Sequence, residues 1–206
     1  MITRLVPISE LGWQKAALSV IQSGYLVAFP TDTVYGVGTS AFNNNAVEKI
    51  FLVKDRPNDR SIPVLLGDIA DLEKVCTQVS PLALKLASHF WPGPLTIVVP
   101  KHPDIPESVS RLATIGIRIP DHPVAEKLLR ITGPLAVTSA NLSGRNNPQS
   151  AGDVMEQLGG RIEMIIDGGR VGMGTASTVV NCLGSDPEIL REGPISLKQI
   201  MAALSR

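Results

Sequence analysis

Two cysteines, three histidines and eight aromatic residues are few for 206 positions, and each scarcity removes a class of chemistry. Cys76 and Cys182 lie far apart, with no Cys-x-x-Cys pair and no Cys/His ligand spacing. A structural metal site is therefore not expected, and the thiols read as buried and reduced. The 19 basic and 19 acidic residues cancel, so no global field draws the chain to nucleic acid or membrane. Any polyanion must be held by a local cluster, and the few aromatics offer little platform for stacked bases. No run of 18 apolar residues and no charged-then-apolar leader is present, so a cytoplasmic protein with no membrane contact is expected. Also missing are a Gly-x-x-x-x-Gly-Lys-Ser/Thr loop, a Gly-x-Gly-x-x-Gly turn and a Gly-x-Ser-x-Gly elbow, which weighs against P-loop, Rossmann and hydrolase readings.

What is present is an apolar chain, 44% hydrophobic, long enough to close one core as a single domain, 1–206. Gly (18) and Pro (16) are spread throughout, which predicts short, tightly connected elements and no linker. Strand-like runs occur at Tyr25 to Phe29, Pro63 to Leu66, Leu95 to Val99, Ile115 to Ile119, Leu135 to Val137, Met164 to Ile166 and Ser177 to Val180. Helical spacing marks Leu11 to Ile21, Ala46 to Val53, Ala83 to Phe90, Val124 to Leu129 and Ser196 to Leu204. Their alternation means α/β, and the mostly apolar strands suit a sheet covered on both faces.

Several segments carry chemistry. Pro30-Thr31-Asp32-Thr33-Val34-Tyr35-Gly36 crowds hydroxyls and a carboxylate at a strand end, which is either a ligand site or a Ser/Thr or Asx turn. Lys54-Asp55-Arg56-Pro57-Asn58-Asp59-Arg60 ends a helix with three cations. A solvated helix end and a phosphate clamp both fit. Trp91-Pro92-Gly93-Pro94-Leu95-Thr96 reads as a rigid turn into a strand. Arg118, set among isoleucines, must emerge at an edge or be paired, and could hold a carboxylate. Thr138-Ser139-Ala140-Asn141-Leu142-Ser143-Gly144 runs from an apolar strand into orienting hydroxyl and amide groups. The Gly-rich run from Asp167 to Ser177 is either a close ligand approach or a flexible connection.

In this order, Pro30 to Gly36, Lys54 to Pro57, Trp91 to Thr96, Arg118 to Pro123, Ser139 to Gly144, Ser177 to Val180 and Ile189 to Gly193 resemble the YrdC-like family over about residues 20–193. The Lys-x-Arg with a later Ser-x-Asn is that family's signature. The resemblance implies a twisted mixed sheet flanked by helices, with a concave, positively charged cavity. It implies an enzyme joining L-threonine, bicarbonate or carbon dioxide, and ATP with Mg2+ into threonylcarbamoyl-adenylate and diphosphate. Downstream tRNA threonylcarbamoyl-transfer proteins would use the product, and contact with tRNA or double-stranded RNA is a further implied partner.

By the same resemblance Lys54 and Arg56 are catalytic, and Lys54, Arg56, Arg60, Thr114, Asn141, Ser150 and Arg191 meet the nucleotide. Thr33, Arg118, Ser139 and Ser177 form the threonine pocket. Many members carry a histidine nine residues after the signature arginine, where this chain has Leu65. A hydroxyl residue often follows the later Pro of the Ser-Gly segment, and here Pro148 precedes both Gln149 and Ser150. The additional C-terminal domain of longer relatives is not expected. Two alternatives remain: a YciO-like paralogue without synthase activity, with Leu65 as its support, and an RNA-binding module held by phosphate contacts.

Overall fold

The computed structural model describes residues 1–57 and 60–205; Asn58 and Asp59, inside the Lys54 to Arg60 segment, lie outside the described residues. The chain runs β1 (Arg4–Pro7), α1 (Trp13–Gln22), β2 (Val27–Pro30), β3 (Tyr35–Ser40), α2 (Asn44–Lys54) and β4 (Val64–Leu65). It continues through α3 (Leu72–Val75), α4 (Pro81–Phe90), β5 (Leu95–Pro100), β6 (Thr114–Arg118), α5 (Pro123–Thr132) and β7 (Leu135–Ser139). Last come α6 (Ala151–Leu158), β8 (Met164–Asp167), β9 (Thr178–Asn181), β10 (Glu188–Arg191) and α7 (Leu197–Leu204).

Among the described residues the strands form one sheet, ordered β1-β8-β2-β3-β7-β4-β6-β5-β9-β10. Pairings β1/β8, β2/β8, β4/β6 and β5/β9 are parallel and the others antiparallel, so the sheet is mixed as expected. Two apolar layers cover it. One packs Trp13, Ala17 and Ile21 of α1 and Leu128 and Leu129 of α5 on Phe29, Leu135 and Ile166. The other gathers Tyr35, Ile50, Ile62, Leu86, Ile97 and Ile117 on the opposite side.

Helix boundaries follow local chemistry. Asn43 caps α2 by accepting from Ala46 N at 3.1 Å, and Asp55 ends the helix in the left-handed region at φ 50°. Pro81 and Pro123 open α4 and α5 at a position where a missing N–H costs nothing. Capping boxes, Ser150 with Asp153 and Ser196 with Gln199, start α6 and α7.

The structure also departs from the sequence reading. The strand expected at Tyr25 to Phe29 runs instead from Val27 to Pro30, and the one expected from Ser177 begins at Thr178. Three strands, β1, β3 and β10, and the helices α3 and α6 were not foreseen. β3 carries Gly36 and Gly38, ordinarily turn residues. Here they let β7 approach, because a Cβ at either would lie 2.6 Å from Val137 Cγ1 or from the Ala136 carbonyl. The Pro30 to Gly36 segment therefore closes a β2–β3 hairpin, with Pro30 paired to Tyr35 and the turn running from Thr31 to Val34.

Candidate functional site

A cleft of about 370 Å³ opens over the middle of the sheet. Its floor includes alternate residues of neighbouring strands: Thr96 and Val98 on β5, Thr114, Gly116 and Arg118 on β6, and Val179 on β9 beside Ser177. Gly116 keeps the floor low, since a Cβ there would sit 2.8 Å from Thr96 Cγ2. The lining holds buried polar groups, Thr31, Thr33, Arg118 and Ser177, together with exposed apolar ones, Leu112 and Leu190.

Arg118 answers the question its sequence posed, because it is paired. With 6% of its side chain exposed, it bridges to Asp32, itself 8% exposed. Its Nε donates to the Gly93 carbonyl at 2.9 Å and its Nη1 to Thr33 Oγ1 at 3.0 Å. Burial works against its charge and the Asp32 carboxylate restores it. The turn around Gly93 thus supports the site as well as introducing β5. Arg191, exposed at the end of β10, donates from Nε and Nη2 to the Ser177 carbonyl at 3.1 and 2.8 Å.

Lys54 is 2% exposed, and its Nζ donates to the carbonyls of Ser139 and Asn141 and, at 3.5 Å, to Asn141 Oδ1. The Asn141 amide in turn donates to the carbonyls of Leu142 and Arg145 at 2.9 and 2.8 Å. The Lys-x-Arg and Ser-x-Asn signatures therefore meet, as a buried strut that fixes the turn after β7. Burial, and then the neighbouring Arg56 charge, pull the Lys54 ammonium down to about 7. Arg56 lies over the cleft, donating from Nη1 to Thr138 Oγ1 at 3.2 Å and from Nη2 to the Ser61 carbonyl at 3.1 Å.

Of the residues singled out in the sequence, the cleft lining brings together Thr33, Arg56, Thr114, Arg118, Ser139, Ser177 and Arg191. Lys54 and Asn141 are not in that lining. Arg60 is exposed, and Ser150 accepts from Asp153 N at 3.1 Å as the cap of α6. Gln149 Oε1 accepts from Arg170 Nη2 at 2.7 Å. Leu65, singled out in the sequence as a departure from the family pattern, does line the cleft, so that position belongs to the site. Sequence reasoning gave no role to Asp32 or Thr96, although both stand in segments it singled out, and none to Gly116, Leu112 or Leu190. Only the hydroxyl-rich stretch around Asp32 carried a signal of its own.

The Gly-rich run is anchored. Gly174 N donates to the Thr33 carbonyl at 3.0 Å and Val171 N to the Gln149 carbonyl at 2.8 Å. Gly174 itself has φ 64°, a left-handed conformation that favours glycine, and a Cβ there would also have to displace the Gln149 side-chain amide, 1.9 Å away. Among the described residues no three His, Cys, Asp or Glu side chains cluster to hold a metal, and no helix is long and apolar enough to cross a membrane.

A family model named Sua5/YciO/YrdC, described as telomere recombination, matches residues 19–193. The chain belongs to this family. A Sua5/YciO/YrdC relative from Bacillus subtilis, named threonylcarbamoyl-AMP synthase, is 44% identical over 91% of this chain, which spans 55% of that protein's length. The crystal structure of Pyrococcus abyssi Sua5 complexed with L-threonine superposes with a TM-score of 0.93 at 39% identity, covering 99% of this chain and 61% of that one. Escherichia coli YciO shares the fold, with a TM-score of 0.87 at 24% identity, covering 97% of this chain and 100% of YciO.

Proposed function

We propose that the chain makes threonylcarbamoyl-AMP and diphosphate from L-threonine, carbon dioxide or bicarbonate, and ATP. What carries the reading is one cleft lined by Thr33, Arg118, Ser139 and Ser177 together with Arg56, Thr114 and Arg191. It lies in a chain 44% identical to a named threonylcarbamoyl-AMP synthase. The hydroxyls and Arg118 suit a small zwitterion, and the Arg56 and Arg191 guanidinium groups suit phosphate oxygens.

The reaction needs no covalent enzyme intermediate. The neutral threonine amine attacks the carbon of carbon dioxide and loses a proton, giving a carbamate. A carbamate oxygen then attacks the α-phosphorus of ATP, the bond to the β-phosphate bridging oxygen breaks, and diphosphate leaves. The chain's part is positioning and charge stabilisation: the cleft aligns the two substrates, and Arg56 offsets charge on the departing diphosphate. Lys54 and Asn141 act from behind, holding the Ser139 turn in place.

Magnesium fits this site as an escort of the triphosphate rather than as a resident of a protein cage. The cleft lining offers no carboxylate cluster, and magnesium ordinarily keeps phosphate and water oxygens as ligands. We place the reaction in the cytoplasm, with tRNA threonylcarbamoyl-transfer proteins as acceptors of the product. Direct contact with tRNA or double-stranded RNA is a further partnership under this reading.

A second reading, a family member that lacks synthase activity, is favoured by one observation: an apolar Leu65 lines the cleft where many relatives carry histidine. Incubation with L-threonine, bicarbonate, magnesium and ATP, followed by mass spectrometry of the adenylate and assay of diphosphate, separates the two. Product that requires both threonine and bicarbonate, and falls at least about a hundredfold in Arg56→Ala, supports the synthase. A folded, ATP-binding protein that gives no product moves the assignment to the second reading.

A further inference from the structure

The last four carbonyls of a helix have no partner inside it, so where they go shows what holds that end in place. In α2 all four are taken. Phe51 O accepts from Arg56 N at 3.0 Å and Leu52 O from Asp55 N at 3.4 Å, the two nested bonds of a Schellman turn. Lys54 O accepts from Ser143 N at 2.9 Å. The fourth, Val53 O, accepts from Arg161 Nη1 at 3.2 Å, and Arg161 is the one side-chain donor of the set.

A Schellman turn puts one residue in the left-handed region, ordinarily glycine, and here that residue is Asp55 at φ 50°. Among the described residues every other positive φ belongs to a glycine. Aspartate is tolerated there, yet its Cβ makes costly a conformation that glycine adopts freely. What aspartate has and glycine lacks is a carboxylate, and its Oδ2 accepts from Arg161 Nη1 at 2.9 Å. One guanidinium, 106 positions along the chain, thus ties down both the joint and the last turn of the helix.

Lys54, just before the joint, turns inward to the Ser139 and Asn141 carbonyls, whereas Arg56, just after it, lies over the cleft. The two backbone torsions of Asp55 fix the angle between them, and hence where the Arg56 side chain begins its reach.

We propose that Asp55 and Arg161 are positioning residues for the nucleotide. Arg161 locks the left-handed joint at Asp55, and the joint sets Arg56 where the triphosphate lies. This rests on the reading of Arg56 as a phosphate contact and adds the pair that aims it, neither member of which lines the cleft. Both side chains are exposed, 43% for Arg161 and 67% for Asp55, so the pair stabilises the fold little and its effect is read in the placement of Arg56.

The test measures kcat and KM for ATP and for L-threonine in the full chain and in its Arg161→Ala, Asp55→Gly and Asp55→Asn variants, each also on an Arg56→Ala background. Glycine keeps the left-handed turn and drops the tether, whereas asparagine tolerates the turn and still accepts from Arg161. In Arg161→Ala and Asp55→Gly, kcat/KM for ATP falls about fivefold, the scale of one exposed ion pair, while KM for L-threonine stays within about twofold. Asp55→Asn stays within about twofold of wild type throughout. On the Arg56→Ala background no variant loses more than about a further twofold, because the group that the pair aims is gone.

Arg161→Ala and Asp55→Gly variants with wild-type kcat/KM for ATP overturn the inference. So does the same fivefold loss on the Arg56→Ala background, or a matching rise in KM for L-threonine, since both mark general distortion. If either variant fails to fold, Arg161→Gln, which keeps a donor for Val53 O and loses the charge, carries the same test. Absence of product from the wild-type chain removes the proposed function and this inference together. An active wild type with indifferent Asp55 and Arg161 variants removes this inference alone.

Discussion

Replacing Lys54 with methionine keeps most of the side chain's length and deletes its charge, which isolates one proton's contribution to stability. The folded chain holds this ammonium at about 7, well below the ordinary lysine value of 10.5, with burial as the first cause and Arg56 as the second. Between those values the unfolded chain binds more protons at this position than the folded one, so stability rises with pH across the window. The slope is about 1.4 kcal/mol per pH unit, and the whole window is worth roughly 5 kcal/mol. The Ser139 and Asn141 carbonyls favour the charged form, so the rise sets in at pH 7 or above. Urea denaturation of wild type and Lys54→Met from pH 6 to 10 measures it, and the difference between the two cancels the other titrating groups. Wild type should gain on the variant steadily above neutrality. A flat difference would refute the reasoning, because it would mean that the folded chain keeps this proton as firmly as the unfolded one.

Gly116→Val should fill the cleft floor against Thr96, costing about 1–3 kcal/mol in stability and abolishing measurable L-threonine binding in a calorimetric titration. Tyr35→Phe removes a hydroxyl that donates to the Gly169 carbonyl at 2.6 Å and accepts from Gly168 N at 3.3 Å. Unfolding measurements should show a loss of about 1–2 kcal/mol, with faster amide exchange in the Gly-rich run. Burial pushes the Cys182 thiol up to about 11 and raises that of Cys76, so neither should react with iodoacetamide at pH 8 until urea is added.

Seven of the strands were legible in the sequence because their apolar runs are bounded by Gly, Pro or polar turns. β3 was not, since its two glycines answer to β7 across the sheet and to nothing in their own segment. β1 and β10 are four-residue edge strands with mostly exposed side chains, too short and too polar to show a pattern. At the site, most residues of the motifs were found with a role, whereas Thr96, at the end of the Trp91 to Thr96 turn, read only as part of a rigid turn. Its role depends on the β5–β9 register, which sets Thr96 against Val179 beside Ser177. Lys54 was legible as important, yet its placement was not. A cation at a helix end is ordinarily solvated, and only the fold brings the Ser139 and Asn141 carbonyls over it.

The bond from Arg118 to Thr33 joins residues 85 positions apart, and that from Lys54 to Asn141 spans 87. A pocket stitched by such distant pairs has no existence in any fragment of the chain, and closing it waits on the slow, non-local pairing of the sheet. Substrate occupancy is therefore wired to the integrity of the whole molecule. A ligand at about a hundred times its Kd adds roughly 2.7 kcal/mol to global unfolding. A cell rich in substrate would hold more of this chain folded than a starved one.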